Sequence, residues 1–146
     1  MRFDLEAFAD KCNVSILIVP EDKDADLGKV ISSILRLSSA NVDYSAMLNN
    51  APLSVRIILG SVKDAYGGSL SFNNLYFEGF VLIGDKGDVV VSGRLNPCGE
   101  SQVAPIVEFV NKLMETLMRV YGNIIGSINI YSLAGRLEIE VSTTPK

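Results

Sequence analysis

The sequence predicts an α+β domain, an antiparallel sheet of about six or seven strands with helices packed on one face. Three observations carry that expectation. The segment Val103–Tyr121 repeats its apolar residues at helical spacing over several turns. Runs such as NVSILIVP, EGFVLIG and DVVVSG are short, apolar and rich in β-branched residues, and turn-forming residues separate them. The 146 residues read as a single domain, with no linker or low-complexity segment dividing them. A chain of this length buries roughly two-thirds of the surface exposed when it is unfolded, so neither a disulfide nor a metal is required to hold it together.

Taken in order, Asp4–Lys11 reads as a short helix, with Asp4 as its cap and Leu5, Phe8 and Cys12 on one side. NVSILIVP follows as a buried strand stopped by Pro20. The acidic run EDKDAD then leads into a helix in which Leu27, Val30, Ile31, Ile34 and Leu35 recur at helical spacing, with Asp24 or Asp26 as the natural cap. SSANVDYSAMLNNAP is polar and punctuated, a connection with a short strand around Val42–Tyr44. SVRIILGSV is strand-like, AYGG signals a turn, and SLSFNNLYF alternates as a half-exposed strand. EGFVLIG and DVVVSG are joined by the tight GDKGD connection, a hairpin whose Asp and Gly tolerate the positive φ that such loops need.

The long helix is the most regular segment. Val103, Ile106, Val107, Val110, Leu113, Met114, Leu117, Val120 and Tyr121 form one stripe, and Phe109 and Met118 lie off it. Glu108–Lys112 and Glu115–Arg119 are spaced to pair at i,i+4 on the opposite side. Ser101 is the expected cap, Pro105 is tolerated in the first turn, and Gly122 ends the helix. GSINIYSL and RLEIEVS close the chain as a hairpin around Ala134-Gly135. Helices on one face leave the other face of such a sheet open, and that face is where a partner is expected.

Composition narrows the chemistry. Apolar residues make up 48% and charged residues 21%, ordinary values for a globular protein. Apolar runs such as Val14–Val19 are too short to span a bilayer, and the N-terminus lacks the continuous apolar stretch of a signal peptide, so a cytoplasmic protein is expected. The chain has no histidine, which removes the commonest general base and metal ligand. A net charge of −4 and a pI of about 4.8 disfavour unassisted binding to a phosphate backbone. Cys12 and Cys98 lie far apart in no ligand or redox spacing and read as structural thiols.

Each remaining motif has a plain structural reading. Glu21, Asp22, Asp24 and Asp26 lack the glycine-bearing loop and distal Glu of a calcium hand, and acids suit a helix start. GSVKDAYGGS and GDKG lack the spacing of phosphate-binding loops. Lys86, Arg94, Lys112, Arg119 and Arg136 are interleaved with acids, as on a soluble surface. Phe72, Tyr76, Phe77 and Phe80 read as core and cross-strand packing. No nucleophile has a neighbouring base, so no catalytic residue, cofactor or metal ligand is assigned and a non-catalytic role is expected.

With its elements placed, the chain resembles one repeat of the TATA-box-binding protein family, which runs strand, helix, short strand, three strands, helix. Asn13 before VSILIV is similar to the opening of that family's first strand. Ala25-Asp26-Leu27 resembles its L-D-L helix start, and Asn41-Val42-Asp43-Tyr44-Ser45 its N-x-E-Y-N segment. The run Leu82–Gly93, LIGDKGDVVVSG, resembles its hairpin L-I-F-x-S-G-K-x-V-x-T-G, and Gly122–Ser127 the start of its second repeat, Q-N-I-V-G-S. The resemblance spans most of Asn13–Ile130 and is interrupted by extra residues near Gly60–Gly79.

That family kinks DNA with Phe wedges. Here Gly84 replaces the hairpin Phe, Asp88 replaces the hairpin Lys, and no Phe lies near Pro52. The second repeat is missing, so a saddle requires a homodimer. The resemblance therefore implies the shape of a reader without the residues that bend DNA. It places Asn13, Val90, Ser92 and Asn123 on the open face, exposed towards a partner protein or nucleic acid. A second resemblance, of Phe80–Val141 to the roadblock family of dimeric scaffolds for small GTPases, implies instead a dimer built on the long helix; the strands that precede the hairpin here depart from that family.

Overall fold

In the computed structural model, the described residues are 2–10, 13–22, 26–36, 38–39, 62–72, 75–96, 103–122, 125–132 and 135–142. In chain order they form β1 (Arg2–Asp10), β2 (Asn13–Pro20), α1 (Leu27–Ile34), β3 (Ser38–Ser39), β4 (Val62–Phe72), β5 (Leu75–Gly84), β6 (Val89–Asn96), α2 (Val103–Tyr121), β7 (Ile125–Ser132) and β8 (Gly135–Ser142). The fold is α+β. The eight described strands form one sheet in the order β3-β4-β5-β6-β2-β1-β7-β8. Every neighbouring pair is antiparallel except β1 and β7, which run parallel. The expected strand at Val42–Tyr44, SVRIILGSV up to Ser61, the Ser101 cap, Asp24, Cys12 and Cys98 lie outside the described residues.

The N-terminal segment is a strand, not the short helix expected for Asp4–Lys11. Phe3, Leu5 and Ala7 are buried, whereas Asp4 is exposed and Glu6 and Phe8 are half-buried. That alternation is the period of a strand with one covered face. β1 also finds hydrogen-bonding partners on both edges, β2 from Asp10↔Asn13 to Phe3↔Pro20 and β7 from Arg2↔Ile125 to Phe8↔Tyr131. A short isolated helix offers far less.

The β4–β5 hairpin differs from expectation as well. AYGG lies inside β4, with Gly67 paired to Phe80 and Gly68 to Gly79, and it makes no turn. The chain reverses later, between the paired residues Phe72 and Leu75, so SLSFNNLYF is divided between two strands. The GDKGD hairpin stands as expected: the Gly84 N–H donates to the Asp88 carbonyl at 2.9 Å, the Gly87 N–H donates to the Gly84 carbonyl at 3.1 Å, and Gly87 adopts φ 87°.

Both helices cover one face of the sheet. Ile31 and Leu35 from the α1 segment and Ile106, Phe109, Val110, Leu113 and Leu117 of α2 pack with Leu5, Ile16, Ile18, Phe77, Val81, Val91 and Ile128 in one continuous core. Facing glycines make room at its centre. Gly79 pairs with Gly93, and a Cβ at either position would meet the opposite backbone and the Phe77 ring. Phe77 lies over this gap and stacks on Phe109 with centroids 5.0 Å apart. The helical stripe is thus turned from the expected one: Phe109 is fully in the core, Met118 packs against it, and Val120 is 55% exposed. α2 ends where the Gly122 N–H donates to the Met118 carbonyl at 2.8 Å.

Candidate binding face

The face away from the helices is set by register. β2 pairs with β6 so that Asn13 lies opposite Arg94, Ser15 opposite Ser92 and Leu17 opposite Val90. β5 continues the row with Leu82 opposite Val90, and β4 with Ala65 opposite Leu82. Because side chains alternate along each strand, Asn13, Val90 and Ser92 share this face, opposite the residues that meet the helices. Asn123 lies outside the described residues.

Exposure corrects the expectation for two of these residues. Asn13 is exposed, but Val90 is 0% and Ser92 7% exposed. The reason is a second apolar cluster made of Leu17, Ala65, Leu82 and Val90, with half-buried Phe8, Val19, Val62 and Phe80 packed against it. Apolar side chains on neighbouring strands exclude water from one another, so the middle of this face is closed rather than open. Polar groups are buried within it. The hydroxyls of Ser15 and Ser92 hydrogen-bond across the strands at 3.3 Å, and Asp88 is 4% exposed with its Oδ1 accepting no hydrogen bond.

Towards β1 and β7 the same face is accessible. Asp4 is exposed, and Glu6, Phe8, Ser127, Asn129 and Tyr131 are half-buried. Register places Asp4 beside Ser127, Glu6 beside Asn129 and Phe8 beside Tyr131. The last pair stacks with ring centroids 4.9 Å apart and planes 10° from parallel. Two carboxylates and a stacked aromatic pair line this half, and Arg2, at the end of the same row, pairs with Glu21. Sequence reasoning missed Phe8 by placing it on a helix; the alternation F-D-L-E-A-F was the signal that would have found it.

Elsewhere, the acidic run behaves as solvated charge. Glu21 pairs with Arg2 at 3.6 Å and Asp26 with Lys29 at 3.9 Å, all well exposed. Asp26 stands at the start of α1 but in a left-handed conformation, φ 55°, and makes no side-chain capping bond, contrary to its expected role. No group of acids or cysteines among the described residues is arranged to hold a metal. The Tyr121 phenol is pushed above its ordinary value, first by partial burial and then by the carboxylates of Asp26 and Asp22. On the outer side of α2, Arg119 and Glu115 pair at 3.2 Å, whereas the expected Glu108–Lys112 pair does not form. A cavity of about 270 Å³ lies between the start of α1 and the GDKG turn, where Lys63 and Lys86 are balanced by Asp26 and Asp85. Among the described residues no helix is long and apolar enough to cross a membrane. Comparison with protein-family models, with curated proteins and with solved structures returns no match.

Proposed function

We propose that the protein is a non-catalytic binding module of TATA-binding-protein-like architecture, homodimeric, that engages a partner protein through the sheet face opposite its helices. The observation that carries this reading is the accessible half of that face, where Phe8 stacks on Tyr131 beside Asp4, Glu6 and Asn129. Aromatic rings set among hydrogen-bonding groups on a flat sheet are the usual anchors of protein interfaces. The described elements from β2 to α2 run strand, helix, short strand, three strands, helix, and this order supports the architectural part. A protein partner is favoured over nucleic acid because Asp4 and Glu6 repel phosphate on a chain already at −4, and because Val90 and Ser92 are closed to a groove.

The roadblock-type scaffold calls for apolar residues on α2 beyond the single stripe, and Phe109 and Met118, expected off that stripe, were the candidates for it. Phe109 and Met118 pack into or against the core and do not form a second apolar stripe on α2. Sedimentation equilibrium together with a DNA titration at low salt tests the proposal. The expected result is a dimer and no duplex or single-strand binding. A monomer at every concentration removes the homodimer, and DNA binding that strengthens as salt falls transfers the face to nucleic acid.

A further inference from the structure

A second feature, independent of the sheet face and beyond the reading above, lies where the end of α1, the end of β4 and the middle of α2 meet. There a cavity of about 260 Å³ opens to the surface. Its walls include Ile34, Leu70, Phe109 and Leu113, and the cations Arg36 and Lys112 are part of its lining. No carboxylate lines it among the described residues, although acids outnumber bases in the chain as a whole, 17 to 13. Neither cation is in an ion pair among the described residues. Lys112 is spaced to reach Glu108 and does not. Arg36 is held in a left-handed conformation, φ 55°, that non-glycine residues seldom adopt, its N–H donating to the Ser33 carbonyl at 3.1 Å.

We propose that this cavity binds a small anionic amphiphile, a monocarboxylate with one short apolar tail. The tail lies against Ile34, Leu70, Phe109 and Leu113, and the carboxylate meets Arg36 and Lys112. Size limits the class. Small-molecule sites commonly measure about 300–1,000 Å³, so a cavity at or below the lower end suits one short chain better than a nucleotide or a two-chain lipid. Charge sets the headgroup: guanidinium and ammonium groups without a competing acid select an anion over a neutral alcohol.

The test uses the whole protein and three probes: octanoate, octan-1-ol, which keeps the tail without the charge, and acetate, which keeps the charge without the tail. Amide shifts are followed by NMR. Octanoate is expected to saturate, with shifts concentrated at residues 34–36, 70–71 and 109–116, and to bind at least about tenfold more tightly than either control. The double variant Arg36→Gln/Lys112→Gln should reduce octanoate to the level of octan-1-ol. Ser71→Phe, which fills the cavity mouth and leaves both charges in place, should abolish saturation. Absence of saturable octanoate binding overturns the proposal. So does octanoate affinity unchanged in both variants, or octan-1-ol binding as tightly as octanoate.

Discussion

The two faces of the sheet exclude water equally at their centres but are built from different materials. Beneath the helices, Phe77, Phe109, Leu113 and Ile128 are almost wholly buried, and the polar side chain buried on α1, Ser32, is satisfied within its own helix, its hydroxyl donating to the Gly28 carbonyl at 2.7 Å. On the opposite face, Leu17, Leu82 and Val90 are just as buried, yet Ser15, Ser92 and Asp88 are buried beside them. A folding core avoids such groups because each must find a hydrogen bond or cost free energy. Interfaces are enriched instead in aromatic side chains, and this face carries half-buried Phe8 and Tyr131 beyond its closed middle. The helix face therefore carries the larger core, and the opposite face joins a smaller cluster to an accessible half around Phe8 and Tyr131.

Truncating the two clusters tests that division. Phe77→Ala should produce the largest effect, about 3–5 kcal/mol in chemical denaturation, because the ring spans the Gly79–Gly93 gap and stacks on Phe109. A smaller but substantial loss, at least about 2 kcal/mol, is expected from Leu82→Ala, although this residue faces away from both helices. If Leu82→Ala cost less than about 0.5 kcal/mol, as ordinary surface substitutions do, the second cluster would not exclude water in solution.

The Ser15–Ser92 hydrogen bond calls for a double-mutant cycle. Either single Ser→Ala change should cost about 1 kcal/mol, because it leaves the other hydroxyl buried without that partner. The double change should cost less than the sum of the two. Strict additivity would mean that the hydroxyls are solvated separately.

The smallest expected effect is alkaline. Tyr121 holds its proton more tightly when folded than in the unfolded chain, so its contribution is complete below its ordinary value of 10.0 and is lost as pH rises through the higher folded value. Tyr121→Phe should flatten the fall in stability above that pH. An unchanged slope would show that the phenol contributes nothing to it.

Elements with their own period and punctuation were legible in the sequence: β2 before Pro20, the Leu27–Leu35 segment, α2 and the hairpins around GDKGD and Ala134-Gly135. β1 was not, because an acid near the start of a short apolar segment imitates a helix cap. Its strand character is secured by β7, from the far end of the chain. Gly67-Gly68 resembled a turn but serves inside a strand, and the paired residues Phe72 and Leu75 show that the chain reverses after it. At the candidate face, Asn13, Val90 and Ser92 were named only through the family resemblance, and the β2–β6 register sets the three on one side of the sheet. The burial of Val90 depends on Leu17 and Leu82 across the strands, and strand order is not written in any local period. The same holds for Lys112, whose spacing allows a pair with Glu108 while its position places it at a cavity.

The most direct test of the central claim is site-specific photo-crosslinking inside the native cell. A photoreactive residue is placed at Asp4 or Asn13 on the candidate face, and for comparison at Glu108 on the outer side of α2, all three exposed. The account predicts defined protein adducts, self-adducts included, from Asp4 and Asn13 and only background from Glu108. Adducts from Glu108 with none from Asp4 or Asn13 would contradict it and move the interface to the helices.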